Sequence, residues 1–443
     1  MSPLNWFKKE SPLQGLGGMW GGVGSNLVGG KSPGLLGDAL FYTSDATDNG
    51  TGGEVFTYTI PTKYTRWTAL CVGAGGGGGG LGGGEGGGLA YLKTPVLRSQ
   101  CHQVQITAGN GGWGIQGSHN NDGNNGYASQ VLFWAGDAGY GSQGNYIIMA
   151  RGGRGGVGNA NTTPGQIRSA PFGHVYSDIY TVNSTNFGGS RGGGAGATSG
   201  GGYMSGGGGG AGGYSLNGSS TSEDKWGMGA GNNGSMIEPW AGRVGGGGGG
   251  AGNNSGNTAA GGGGGGVLLY PGTTIYGGEH GNPSDSGTSG NGSEGGWPGA
   301  HDTANGQPTE GDGSNNNQYA MYPNQYGGLS APSLLTYPDG TQVGQGKAGK
   351  DGTNSYPGDG GFPGGAGAAG AERYYGEHGG GTGNTYKSKG APGAVRIMMW
   401  DEDYHNNTGA PEWYNSTSSG GVRTAWDDIN DEVWLNGTSK GNV

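Results

Sequence analysis

Seven histidines, two cysteines and scattered carboxylates are the residues of this chain with reactive potential. His102, His119, His174, His280, His301, His378 and His405 stand apart, and none pairs with another at metal-ligand spacing. They read as surface histidines. Cys71 and Cys101 close candidate strands. Two cysteines read as free, buried and inert, and a zinc site needs more ligands than they offer. The run Asn120-Asn-Asp-Gly-Asn-Asn-Gly126 is rich in oxygen, but no Glu follows to close a calcium loop, so it reads as a turn, with a cation site as the lesser alternative. Gly29-Gly-Lys-Ser32 resembles the end of a phosphate loop. That loop needs glycine where Ser25 stands, and Pro33 follows directly. No Ser-His-Asp order and no carboxylate pair for glycoside cleavage can be defended. The chain reads as a non-enzyme, with no cofactor and no metal.

Binding chemistry is better represented. Tyrosine and tryptophan interrupt the glycine-rich stretches as Tyr203, Tyr214, Trp226, Trp240, Tyr270, Tyr276 and Trp297. They are densest at Tyr319, Tyr322 and Tyr326, and at Tyr374 and Tyr375. Such rings give stiff, amphipathic contact area, and neighbouring Ser, Asn and Gly supply adaptable polar contacts. Sugars and protein loops both bind such surfaces. A single ring can equally cap the glycine structure and shield its edges. The densest loops read as binding surfaces.

The elements that must carry these rings are unusual. Glycine makes up 119 of 443 residues, so no conventional core can come from the runs at 75–80, 206–210, 245–250 and 261–266. Apolar residues are 30% and charged residues 12%, below the globular norm on both counts. Low charge argues against charge-driven disorder. Regular structure held by backbone hydrogen bonds remains. The net charge of −10 gives no basic face for nucleic acid. No apolar run is long enough to span a membrane, and the first residues lack a signal-peptide core. Assembly in a cytosol is expected.

Alternation at Phe56, Tyr58 and Ile60 marks a strand over 54–60. Further short strands are expected at 66–72, 89–92, 103–108, 127–134 and 146–150. The closing partner arrives late, at 393–400, and is expected beside 66–72. Residues 152–392 then form one insertion. Within it Gly346, Gly349 and Gly352, then Gly358, Gly361, Gly364, Gly367 and Gly370, keep a period of three, which is the polyproline-II repeat. Glycine-only faces let such helices approach and bond each other, so unbroken runs suit a lattice interior and one-in-three breaks suit its outside. The expected fold is all-β: an antiparallel sandwich or roll over 54–151, with a large inserted polyglycine-II bundle and no significant α-helix. Residues 1–53 read as an anchoring arm carrying Trp6, Phe7 and Trp20. Residues 401–443 read as an acidic docking tail carrying Trp413, Trp426 and Trp434.

The bracket FTYTIP, TALCVGAGGGGGG, GGGLAYL and VQITAG, closed by GAVRIMMW, resembles the glycine-rich domains of tailed-bacteriophage fibre and tail proteins, nearest in style to marine and cyanobacterial phages. The insert also resembles the receptor-binding adhesins on the long tail fibres of T-even-type phages, whose glycine motifs form polyglycine-II bundles. The resemblance covers about residues 54–400. It implies a virion fibre or tail-tip adhesin, with Tyr319, Tyr322, Tyr326, Trp226, Trp240, Trp297, Tyr374 and Tyr375 as receptor-contact candidates. The six aromatics of the arm and tail would then anchor it to other virion proteins in a multi-chain assembly. The receptor would be a host surface glycan or outer-membrane protein. The alternative is a purely structural virion component, such as a head decoration, neck or tail-associated fibre protein.

Overall fold

The computed structural model describes residues 34–43, 52–79, 82–92, 95–114, 122–133, 146–156, 187–190, 192, 207–213, 261–266, 275–276, 297–298, 335–336, 342–343, 360–367, 388–408 and 429–442. These are mostly strands with almost no helix, an all-β fold. In chain order the strands are β1 (Leu36–Tyr42), β2 (Gly53–Thr59), β3 (Arg66–Val72), β4 (Leu89–Leu92), β5 (Val96–Leu97), β6 (Gln103–Gly109), β7 (Ser129–Phe133) and β8 (Tyr146–Ala150). Then come β9 (Phe187–Ser190), β10 (Ile275–Tyr276), β11 (Trp297–Pro298), β12 (Leu335–Thr336), β13 (Gln342–Val343), β14 (Ala394–Trp400), β15 (Glu432–Leu435) and β16 (Thr438–Asn442). One short helix, α1 (Glu402–Thr408), follows β14.

An eight-stranded sheet runs β16-β15-β1-β14-β3-β4-β9, with β5 also on β3. A second, four-stranded sheet runs β2-β6-β7-β8. The pairs β10–β11 and β12–β13 are small antiparallel ladders. β14 pairs with β3 along its whole length, from Ala394 opposite Val72 to Trp400 opposite Arg66.

Period-two alternation sets the two faces of the large sheet. On one, Phe41, Trp67, Ala69, Cys71, Val395, Ile397 and Met399 share a core with Val104, Ile106, Val131, Phe133 and Ile148 of the small sheet. On the other, Leu36, Leu40, Leu70, Val72, Met398 and Trp400 pack with Ala211 and Phe362 from glycine-rich segments and with Tyr404 of α1. The large sheet is therefore apolar on both faces, which explains why AVRIMMW is an unbroken buried run.

Two expectations need correcting. The arm over 1–53 contains β1, a fully buried strand lying between β14 and β15. Its LGDALFY was read as part of a stretch without period, because both of its faces are buried and no polar alternation marks it. The tail over 401–443 contains α1, β15 and β16. β15 pairs with β1 in parallel, with Asp38 opposite Val433, so the large sheet is not wholly antiparallel.

Candidate functional site

The glycine-rich segments form a defined hydrogen-bonded array. Residues 73–79 continue β3 directly, and every N–H among them donates to a neighbouring segment. Gly73, Gly76 and Gly79 donate to the carbonyls of Gly88, Glu85 and Gly82. Ala74 and Gly77 donate to Tyr127 and Asn124, and Gly75 and Gly78 to Ala391 and Ser388. Each neighbour is thus served by every third residue. Three further segments donate back: Gly153 and Gly156 to Ala74 and Gly77, Gly112 to Gly75, and Gly367 to Gly76.

The six neighbours also bond one another in a closed ring. Glu85 N–H donates to Arg154, Gly126 N–H to Gly153, and Tyr127 N–H to Asn110. Gly390 N–H donates to Gly112, Ala391 N–H to Gly365, and Gly87 N–H to Gly364. Around 73–79 the order is 82–88, 151–156, 122–128, 109–114, 388–393 and 360–367. The three segments that accept from the centre run against it, and the three that donate to it run with it, the third only over 364–367, after a turn at 362–364. Segments 207–213 and 261–266 extend the array outside the 82–88 and 360–367 edge, through Gly209 to Gly84 and Gly263 to Ala366.

The strands position this array. Segments 73–79, 109–114 and 151–156 follow β3, β6 and β8; segments 82–88, 122–128 and 388–393 precede β4, β7 and β14. All six prolong one end of the two sheets. The residue pattern changes there from period two to period three. Past Ala74 a Cβ is excluded at the centre: at Gly75 it would strike the Gly365 carbonyl, at Gly76 the Arg154 carbonyl, and at Gly77 the backbone of Trp113. At the rim, side chains return every third residue. Asn110 and Trp113, and Arg151 and Arg154, occupy the positions between glycines. Lys389 stacks its ammonium 4.3 Å from the Trp113 ring centroid across two rim segments.

The end of the array remote from the sheets is marked by the bonds Gly79–Gly82, Gly78–Ser388 and Gly156–Gly77. The chain leaves the described array there after Gly114, Gly156 and Gly367, and re-enters at Asp122 and Ser388. Tyr374 and Tyr375 fall in the stretch between Gly367 and Ser388, outside the described residues. Trp226, Trp240, Tyr319, Tyr322 and Tyr326 also lie outside them. For Trp297 only the backbone is described, paired with Tyr276 in β10–β11.

Of the anchoring candidates, Trp6, Phe7, Trp20, Trp413 and Trp426 lie outside the described residues. Trp434 is corrected: it is buried in the core between the sheets, packed edge-on to Tyr58 and Tyr64. It serves this chain's own fold. The acidic residues around it do the same. Lys63 Nζ bridges Asp431 at 2.7 Å and Glu432 at 3.1 Å, and the Tyr64 hydroxyl donates to Asp431 at 2.5 Å. Burial opposes the Lys63 charge, but the bonds to Asp431 and Glu432 outweigh it and hold the ammonium above its ordinary range.

No catalytic arrangement is assembled among the described residues. Cys71 and Cys101 are free and buried, and burial pushes the Cys71 thiol up, away from a reactive thiolate. No group of three or more metal-ligating side chains occurs among the described residues. No helix among them is long and apolar enough to cross a membrane. The sequence reading missed one buried ion pair. Arg396 Nε donates to Asp38 Oδ1 at 2.8 Å, on the array-side face of the large sheet. A comparison with known protein families and curated proteins finds no match.

Proposed function

We propose that the chain is a bacteriophage virion fibre or tail-tip protein that presents aromatic loops for host-receptor binding. The observation that carries this reading is the six-around-one array: every third residue of 73–79 serves the same neighbour. A repeat of three with all bonds between segments is what a polyglycine-II bundle requires. In this reading the two sheets are a β-sandwich base and the array is a stiff presenter mounted on its end. Hydrogen bonding satisfies the backbone without side chains, so the interior of the presenter has no chemistry of its own. Function then belongs to the stretches it carries, which hold the Tyr and Trp clusters. The receptor is a host surface glycan or outer-membrane protein, and the chain works within a virion beside other virion proteins.

The test is a phage carrying Tyr319→Ala, Tyr322→Ala and Tyr326→Ala, with a second carrying Tyr374→Ala and Tyr375→Ala. An adhesin yields intact particles in normal number that adsorb poorly to host cells. Particles that fail to assemble, with normal adsorption by those that do, would instead make the chain a structural virion component.

A further inference from the structure

Two arginines stand out in an acidic chain. Arg151 and Arg154 are exposed on the rim segment 151–156. Neither guanidinium has an ion pair or hydrogen bond among the described residues. Both backbones are fixed, because the Arg151 carbonyl accepts from Gly88 at 2.9 Å and the Arg154 carbonyl from Glu85 at 2.8 Å. The glycines that follow each of them are committed to the two flanking segments. A Cβ at Gly152 or Gly155 would strike the carbonyl of Gly126 or Gly123, and one at Gly153 or Gly156 that of Glu85 or Gly82. Only the third face is open, and both arginines lie on it. At ~3.1 Å per residue their Cα atoms sit about 9 Å apart along one line.

The neighbouring rim segment completes this face with exposed Asn124 and Asn125. Asn125 Oδ1 accepts from Gly155 N–H at 2.9 Å, so the two segments are joined beside Arg154. Exposed Asp122 lies one step further toward the remote end, beyond the level of both arginines. The result is a fixed ridge with two cations unpaired among the described residues, and flanking amides.

We propose that this ridge binds an anionic polysaccharide, with the two guanidiniums taking carboxylate groups spaced along the sugar chain and the asparagines taking hydroxyls. Guanidinium matches carboxylate in a two-bond fork, and Asn suits hydroxyls as both donor and acceptor. A fixed spacing favours a ligand with regularly repeated charge over a single anion. The site is separate from the aromatic loops and does not depend on the adhesin reading.

The test uses the full chain on immobilised polygalacturonate, with neutral dextran and single-stranded DNA as comparison surfaces. Arg151→Gln, Arg154→Gln and the double variant are set against Lys440→Gln, an equal charge loss on the distant strand β16. Unchanged circular dichroism and melting confirm that each variant folds. The expected result is salt-sensitive binding to polygalacturonate, none to dextran, about a tenfold loss in the double variant, and less than a twofold loss for Lys440→Gln. Equal losses in the double variant and Lys440→Gln, or no loss in either, overturn the proposal. Absence of binding to polygalacturonate by the unaltered chain also overturns it, and tighter binding to DNA replaces the glycan with a nucleic acid. Loss of ridge binding with normal adsorption in the aromatic-loop experiment, or the reverse, separates this site from that reading.

Discussion

Asp38 and Arg396 form the most deeply buried ion pair among the described residues, at 0% and 1% side-chain exposure. Burial pushes the Asp38 carboxyl above its ordinary range, against the pull of the Arg396 charge. Removing one partner leaves the other charge buried, so Asp38→Asn is expected to cost about 3–5 kcal/mol. Asp38→Leu with Arg396→Met is expected to be near neutral or stabilising. Urea titration of the three proteins checks this, and equal losses in both variants would refute it. Two tyrosines give a pH prediction. Burial, then the charge of nearby carboxylates, with a hydrogen bond to Asp431 as well for Tyr64, raises the Tyr58 and Tyr64 phenols above 10.0. A group raised in the fold binds its proton more tightly there than in the unfolded chain. Its stabilisation is complete below the unfolded value and falls as pH rises above 10.0. Tyr64→Phe is expected to flatten part of that alkaline loss, read as urea midpoints on either side of it. None of these residues was recognisable in sequence as a pair. Arg396 and Asp38 are 358 positions apart, and Asp38 sits in a stretch without polar alternation.

Elements were legible where a face is polar or a turn is marked. β2 and β6 alternate, and their strands fall where alternation puts them. β1 was hidden because both its faces are buried. The hairpin β15–β16 carries a readable turn: Asn436 and Gly437 have φ of 49° and 78°, as a two-residue Asn-Gly turn requires. The Asn436 side chain also accepts from Tyr42 N–H at 2.9 Å, tying the hairpin to β1. Gly437→Val is expected to cost more than about 1 kcal/mol through φ alone. The glycine segments give a sharper contrast. The period of three was read over Gly346 to Gly370, of which only 360–367 lies among the described residues, with a turn at 362–364. Which segment is central was not legible, since its six neighbours are scattered along the chain from 82 to 393. Gly76→Ala is expected to destabilise severely, because its Cβ meets a carbonyl within the hydrogen-bonded array. Arg154→Ala, one face away on the rim, is expected to stay within about 0.5 kcal/mol of the parent. Melting temperatures of the two variants decide it, and similar values would mean that the array relaxes freely.

At the scale of the molecule, the sheets and the array share a backbone. Six array segments pass without interruption into β3, β4, β6, β7, β8 and β14. Sequence reading placed the glycine structure in the insert, because the longest glycine detour lies there; five of the nine described segments lie at or before residue 156, in the connections of the β-strands themselves. The reason it was missed is physical: a run such as GAGGGGGG after a strand looks like a loop until its partners are known. The consequence is cooperative unfolding. Segment 73–79 cannot separate from its ring without breaking bonds to segments that continue five other strands. Amides of Gly75, Gly76 and Gly77 are therefore expected to exchange with deuterium as slowly as those of Leu70 and Ala69 in β3, at the free energy of global unfolding. Fast exchange at the glycines beside slow exchange in β3 would show the array opening as a separate unit. Slow exchange in both makes the array a continuation of the sheets, able to transmit a load at its remote end directly into the strands that hold the base.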